Sequence, residues 1–300
     1  MPRDNRKKRN LNNFYIRRIA KNLTRRQISA CMGVMSVLFC VALALSYLRS
    51  YYEQGATDSL RSLITGLLIA LLSLIVTAPV NVGARGVFCD IAAGRETKTT
   101  KALAWYGDGK KLSGSILLTL MQTLVALLAL ALLGGLALAI AAQLDPMFFG
   151  ALIYGNVFWL MLSPGKFYLF LLAIIGPVYL LTARFMPAAY LLAEQPEKGA
   201  MACMKESSRL LKGFYWKYVG LQLLALLQLV GYALMASLFC MLIFRGDTVS
   251  AVVYAVILVE AIIYFSIMPQ LGVSTSLFLN DVRVRNSGPQ ATETHESDML

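Results

Sequence analysis

The chain has 300 residues, of which 58% are hydrophobic and only 15% are charged. A typical soluble domain has about 25% charged residues, so this composition excludes a water-soluble globular protein. The formal net charge is +12, but the 28 Lys and Arg residues lie mostly next to long apolar runs. Positive charge at such positions contacts anionic lipid headgroups, so we expect the lipid bilayer, and not nucleic acid, as the partner of these residues.

Residues 1–27 predict a basic cytoplasmic segment that contains an amphipathic helix. Between Tyr15 and Leu23, apolar residues recur at intervals of three and four, while Arg17, Arg18 and Lys21 occupy the other side. Such a helix lies flat on a membrane, with its apolar stripe among acyl chains and its cations among phosphates. Two interpretations stay open: a lipid- or partner-binding element, or an elbow that sets where the next helix crosses.

Six apolar blocks follow, and each is long enough to cross the roughly 30 Å hydrocarbon core of a bilayer. They cover residues 28–48, 61–83, 114–142, 167–192, 216–244 and 250–278. The first block starts like a secretory leader, but it continues to about Leu48 and so predicts an uncleaved helix. The sequence therefore predicts an all-α polytopic fold, with a six-helix transmembrane domain at 28–280.

The apolar segment 146–163, between the third and fourth blocks, could be a seventh crossing. Asn156, two glycines and the bounding Pro164 weaken that interpretation. A crossing here would also move the five basic residues of the 193–217 region to the outer side. The aromatic residues of the segment favour an interfacial or re-entrant piece in an outer loop.

A second basic amphipathic helix is predicted before the fifth block. Its apolar residues recur at helical spacing between Ala200 and Tyr215, and its other side carries Lys198, Lys205, Arg209 and Lys212. We expect this helix to lie at the cytoplasmic interface like the first. Both helices are also candidate contact surfaces for protein partners.

The distribution of positive charge predicts an orientation. The N-terminal segment, the regions 84–113 and 193–217, Arg184 and the C-terminal tail together contain 24 of the 28 basic residues. Because cytoplasmic connections accumulate Lys and Arg, both termini are predicted to be cytoplasmic, in a plasma membrane. Residues 281–300 are predicted to form a disordered cytoplasmic tail, since the polar tail cannot bury enough apolar surface to order itself.

Small residues at four-residue spacing predict where helices approach one another. Gly66 and Ala70 share one face of the second block, and Ala131, Gly135 and Ala139 share one face of the third. In a membrane such faces allow close backbone packing. We therefore expect helix contacts at these glycines.

One acidic residue lies well inside a predicted crossing. Glu260 is ten residues into the sixth block, and a charged carboxylate near the bilayer centre costs at least about 2.5 kcal/mol on insertion scales. Gln228 of the fifth block is expected at a similar depth, and Arg184 of the fourth lies nearer the cytoplasmic face. These three residues form a candidate intramembrane polar site, which is either the centre of a transport pathway or a tie between helices.

The sequence offers no catalytic, metal or cofactor site. Its only histidine is His295, in the tail, and its five cysteines include no CxxC pair. The segment from Gly107 to Ser115 lacks the spacing of a phosphate-binding loop. We therefore expect neither enzyme activity nor a cofactor.

The stretch Ser207–Lys217 places a serine and a Leu pair before Lys-Gly and a group of aromatic and basic residues. In this stretch the chain resembles an uncharacterised bacterial family of multi-pass membrane proteins, the domain of unknown function 975. Pro196, the basic start at 17–21, the segment Pro79–Gly83 and Pro269 are similar to that family as well. The resemblance implies an α-helical integral membrane protein and supplies no catalytic residue.

The leading hypothesis is a non-enzymatic inner-membrane protein that acts as a scaffold, an assembly factor or an envelope-stress component through its cytoplasmic helices. The alternative is a transporter of a small solute or a lipid, organised around Glu260. A polar cavity at mid-membrane would favour the transporter, and a solidly packed bundle would favour the scaffold.

Overall fold

A computed structural model describes residues 12–54, 59–153, 164–243 and 248–286. Within these ranges the chain is helical, with short turns and no strand. Six segments are long and apolar enough to cross a membrane: Ile28–Tyr52, Ile64–Ala92, Gly109–Leu144, Leu169–Glu194, Tyr215–Ile243 and Tyr254–Asn286. The predicted all-α membrane bundle with six spans is confirmed.

The described α-helices are, in chain order, α1 (Asn13–Arg26), α2 (Ile28–Gln54), α3 (Ser59–Ala92), α4 (Thr100–Leu103), α5 (Gly109–Leu144), α6 (Pro146–Ile153), α7 (Pro164–Ala183), α8 (Ala188–Glu194), α9 (Ala200–Leu210), α10 (Tyr215–Ile243), α11 (Thr248–Ile262) and α12 (Met268–Asn286). A short 3₁₀ turn at Ala104–Tyr106 follows α4, and another at Pro196–Lys198 precedes α9. A π-helical turn at Ile263–Ile267 joins α11 to α12. The fourth span therefore consists of α7 and α8, and the sixth of α11 and α12.

One end of the bundle collects the basic segments of the chain. Helices α1, α4, α8 and α9 pack there against the last turns of α3 and α12 and the first turns of α5 and α10. Hydrogen bonds join these elements across the fold: the Gln27 side chain donates to the Arg95 carbonyl over 2.8 Å, and the Asn13 amide donates to the Lys217 carbonyl over 2.9 Å. We call these elements the basic end, and the remainder of the six spans the apolar half.

Several spans continue beyond their predicted limits. Helix α3 runs to Ala92 and α12 to Asn286, where the apolar blocks were predicted to end at 83 and 278. At 1.5 Å per residue, the 36 residues of α5 extend about 54 Å, whereas a bilayer core is about 30 Å thick. The additional turns build the basic end. The predicted start of the tail at 281 falls inside α12, and residues 287–300 lie outside the described ranges.

The buried core is concentrated at the basic end. One cluster joins α1, α3, α10 and α12 through Ile16, Phe88, Tyr218, Phe278 and Val282, each at most 1% exposed. A second cluster lies between α5, α8 and α9 and contains Trp105, Leu118, Leu191 and Cys203. Amphipathic segments that look interfacial in the sequence are therefore parts of a folded layer.

Helix α1 forms as predicted, but part of its apolar stripe packs against protein. Ile16 and Ala20 are buried, whereas Phe14 and Tyr15 stay exposed. The expectation that the stripe enters the acyl chains is wrong for Ile16 and Ala20. The lengthened ends of α3 and α12 offer these residues an apolar surface, which the pattern of α1 alone does not reveal.

The closest helix contacts also lie at the basic end. A Cβ atom on Gly83 would overlap the backbone of Ala102, and one on Gly272 would overlap the ring of Phe88. A Cβ on Gly66 or Gly135 would meet no described atom within 4 Å. The predicted close contacts at Gly66 and Gly135 are therefore wrong for the described residues. Acyl chains are as apolar as the side chains of a span, so a small residue in the apolar half does not require a close protein neighbour.

Of the segment 146–163, residues 146–153 form α6, and 154–163 lie outside the described ranges. Asp145 caps α6 by accepting a 3.0 Å bond from the Phe148 backbone, and it forms a 2.6 Å ion pair with Lys166 at the start of α7. The hydrogen bond from Lys166 holds the pKa of Asp145 below its usual range. This ion pair fixes the two ends of the connection beside one another.

Candidate functional site

The three residues of the predicted intramembrane site do not come together in the structure. Glu260 is exposed on the outside of α11 and makes no hydrogen bond or ion pair with another described residue. Gln228 on α10 accepts a hydrogen bond from Arg17 and donates to the Tyr232 hydroxyl over 3.1 Å. Arg184 lies in the turn between α7 and α8.

Arg17 is therefore partly withdrawn from the surface on which α1 was expected to meet lipid phosphates. Its guanidinium donates to Gln228 on the neighbouring helix α10. Burial lowers the pKa of Arg17 from its ordinary value. The contact fastens α1 to the bundle, and the exposed cations Arg18 and Lys21 remain on the other face.

A break in the fourth span positions Arg184. Helix α7 ends at Ala183, and Pro187, which has no N–H to continue the helical pattern, precedes α8. The last carbonyls of a helix need partners from elsewhere. Three other helices supply them: Ser207 donates to the Arg184 carbonyl over 2.7 Å, Gln122 donates to the Phe185 carbonyl over 2.6 Å, and the Tyr215 hydroxyl donates to the Leu180 carbonyl.

This capped break forms one wall of a cavity of about 720 Å³, which we call the basic cavity. Its other walls come from α9, the α9–α10 turn and the start of α10. The lining residues are Arg184, Phe185, Lys205, Ser208, Arg209, Leu211, Lys212, Gly213 and Tyr215. Gly213 adopts a φ of +89°, which favours glycine and lets the turn fold back sharply.

The charge of the basic cavity is uncompensated within the described residues. Arg184, Lys205, Arg209 and Lys212 are all exposed, and none forms an ion pair with a described acidic residue. The Arg184 guanidinium instead stacks over the Tyr215 ring, 5.3 Å from its centroid. Such a contact orients the side chain and leaves its N–H donors available.

Several acidic residues elsewhere at the basic end are paired with cations, whereas Glu96 and Glu197 are exposed and form no ion pair with a described residue. Asp90 pairs with Lys101 and Arg95, Glu194 pairs with Arg283, and Glu206 forms a 2.8 Å pair with Lys198. Asp281 pairs with Arg285 within α12. None of these acidic residues lines the basic cavity, so the cavity keeps its positive potential.

Each cation of this site was identified from the sequence, but the sequence did not predict that they line one cavity. Lys205, Arg209 and Lys212 follow one another at spacings of four and three, which places them on one helical face. That signal was present in the sequence. The link to Arg184 depends on the helix break and on its capping by distant side chains, which no local pattern specifies.

The described residues contain no group of three or more His, Cys, Asp or Glu side chains that could hold a metal ion. The arrangement at the basic cavity is suited to binding anions through guanidinium, ammonium and hydroxyl donors.

Residues 11–286 match the family described as "Protein of unknown function (DUF975)". The chain belongs to this family. The match covers nearly the whole chain and confirms the resemblance inferred from Ser207–Lys217, Pro79–Gly83, Pro196 and Pro269. No curated protein and no solved structure matches the chain.

Proposed function

We propose that this DUF975 protein is a non-enzymatic scaffold of the bacterial inner membrane, which gathers anionic lipids and protein partners at a cytoplasmic basic end. In this proposal the six spans anchor the protein. The basic end is the working surface, as an assembly or envelope-stress component requires.

The observation that supports this function is the packing of the basic end. Helix α1 is held by Asn13, Arg17 and Ile16, and α9 is held by Ser207. Both helices are therefore parts of one folded layer, and Arg18 and Lys21 of α1 and Lys205 and Arg209 of α9 are exposed on its surface. A rigid, cationic surface at an anionic leaflet attracts headgroups and acidic protein segments, at about 1 kcal/mol per cation.

The position of Glu260 favours the scaffold over the transporter. A transport site needs polar groups that converge on a protected path within the membrane. Glu260 is exposed on the bundle surface, and Gln228 bonds to Arg17 and Tyr232 instead.

The lipid part of this proposal is tested in membrane discs cut directly from cells with a copolymer. We expect the lipids around the full-length protein to be richer in anionic species than the bulk membrane, by mass spectrometry. A variant with Arg18, Lys21, Arg25 and Arg26 changed to Gln should lose part of the enrichment, because it removes four exposed cations from the basic end. If the lipid composition of the discs equals that of the bulk membrane, the proposal is contradicted.

The orientation is tested with reporter fusions. A reporter at residue 205 should be cytoplasmic and one at residue 54 external, because the basic segments lie on the side of residue 205. A cytoplasmic signal at 54, or an external signal at 205, would place the basic end on the wrong side for this function.

A further inference from the structure

The basic cavity differs from the rest of the cationic surface in being preformed. Its cations come from two separate elements, the α7–α8 break and α9 with its following turn, and they face one volume. Side chains of α5, α9 and α10 hold the break in place by capping its carbonyls. These bonds fix the backbone of the break, and the Tyr215 ring orients Arg184, so the cavity walls are in place without a ligand.

We propose that the basic cavity is a binding site for the phosphate group of one anionic phospholipid. This inference rests on the proposed function and deepens it, because it adds to the general attraction of anionic lipid one discrete site with a defined ligand class.

The donors in the basic cavity suit a phosphate. Arg184 and Arg209 each offer a planar set of N–H groups that fits phosphate oxygens, and Lys205 and Lys212 add ammonium groups. The Ser208 hydroxyl makes no hydrogen bond with another described residue and can donate to a phosphate oxygen. The cavity volume of about 720 Å³ lies in the range of roughly 300–1,000 Å³ that is usual for small-ligand sites.

The level of the cavity indicates that the phosphate belongs to a lipid. The cavity lies where α7 ends and α10 begins, at the basic end of two spans. Phe185 and Leu211 give it apolar walls. Trp216, next to Tyr215, is 72% exposed, as is typical of aromatic residues at the headgroup level of a bilayer. A phospholipid there can place its phosphate among the cations and its acyl chains along the spans.

The test compares two double variants of the full-length protein by native mass spectrometry in detergent, with phosphatidylglycerol or phosphatidylcholine added. Arg209→Gln with Lys212→Gln removes two cations from the cavity. Arg18→Gln with Lys21→Gln removes one Arg and one Lys from the exposed face of α1, so it changes the net charge equally. All four side chains are exposed and form no ion pair with a described residue, so folding should survive both changes.

We expect the unmodified protein to retain one phosphatidylglycerol molecule in preference to phosphatidylcholine. Each cation near an anionic headgroup strengthens binding by roughly fivefold, so the cavity variant should retain the lipid roughly 25-fold less strongly. The α1 variant should change retention by less than about twofold, because its cations lie outside the cavity. Equal losses in the two variants would overturn the discrete site while leaving the wider basic surface, and hence the proposed function, intact.

A second measurement identifies the source of the phosphate. Phosphatidylglycerol should raise the thermal unfolding temperature of the unmodified protein and of the α1 variant, but not that of the cavity variant. Inorganic phosphate at the same concentration should leave all three unchanged, because it has no acyl chains to hold it at the interface. Equal stabilisation by inorganic phosphate and by the lipid would overturn the assignment to a phospholipid, as would equal stabilisation by phosphatidylcholine.

Discussion

The basic end and the apolar half consist largely of the same helices, yet their side chains are packed in opposite ways. In α5, Leu118 is 0% exposed at the basic end, whereas Leu127 in the apolar half is 56% exposed. In α10, Leu221 is 0% exposed and Leu227 is 67% exposed. In both helices the fully buried leucine lies at the basic end, although Leu117 and Leu223 close to them are exposed. Leucine burial in these helices therefore requires the level of the basic end and a face turned toward other helices.

The surrounding solvent explains this difference. Water at the basic end favours burial of apolar surface by roughly 25 cal/mol per Å². Acyl chains are as apolar as leucine, so helices in the bilayer gain little from covering their side chains with one another. Side-chain packing at the basic end should therefore supply most of the tertiary stability, and the apolar half mainly provides lipid-facing anchors.

The largest expected effect comes from truncating a leucine at each level of α5. Leu118→Ala should lower the free energy of unfolding by about 3 kcal/mol, because it leaves a cavity between α5, α8 and α9. Leu127→Ala should change it by less than about 0.5 kcal/mol, since lipid can fill the space. Thermal unfolding of the purified variants at one heating rate measures both. Equal losses would show that the two regions contribute alike.

Two glycines of α3 provide the next test. Gly83→Ala should destabilise the protein by about 2 kcal/mol, because the new methyl group collides with the Ala102 backbone, which cannot rotate away. Gly66→Ala has open space and improves helix propensity, so it should be neutral or stabilise the protein by up to about 1 kcal/mol. Size-exclusion recovery after heating separates these outcomes. A neutral Gly83→Ala would mean that α3 and α4 are not in close contact.

The sequence predicts the spans well because their signal is local: each needs only about 20 consecutive apolar residues. It predicts the basic end poorly, because that layer depends on pairs far apart in the chain. Ile16 contributes to the same core as Phe278 and Val282, and Ser207 caps the carbonyl of Arg184. Nothing in the local pattern around Ile16 or Ser207 identifies those partners.

The same limit applies to the candidate site. Depth in an apolar block singled out Glu260, but depth does not say whether a residue faces the bundle or the lipid. The apolar face of an interfacial helix and that of a packed helix also have the same period, so α1 and α9 fit both interpretations. Contacts with α12 and α8 decide between them.

A smaller effect on stability is expected from removing one hydrogen bond at the break between α7 and α8. Ser207→Ala should cost about 1 kcal/mol, because it removes the 2.7 Å hydrogen bond to the buried side of the Arg184 turn. Ser113→Ala is a matched control, since Ser113 is exposed and its hydroxyl donates to the nearby Lys110 carbonyl at the start of α5. Thermal unfolding again provides the measurement. If both variants behave alike, capping by α9 does not hold the break in place.

The smallest effect is expected at Glu260, the acidic residue that the sequence placed near mid-membrane. Glu260→Gln keeps the shape of the side chain and removes its ability to carry charge. Because Glu260 is exposed and has no described partner, the change should leave stability unaltered or raise it slightly. Reconstituted vesicles with a pH-sensitive dye measure proton-coupled flux, and unmodified protein and variant should give equal signals. The opposite result is a flux that the unmodified protein supports and the variant abolishes at equal protein levels. That result would place the functional site in the apolar half and not at the basic end.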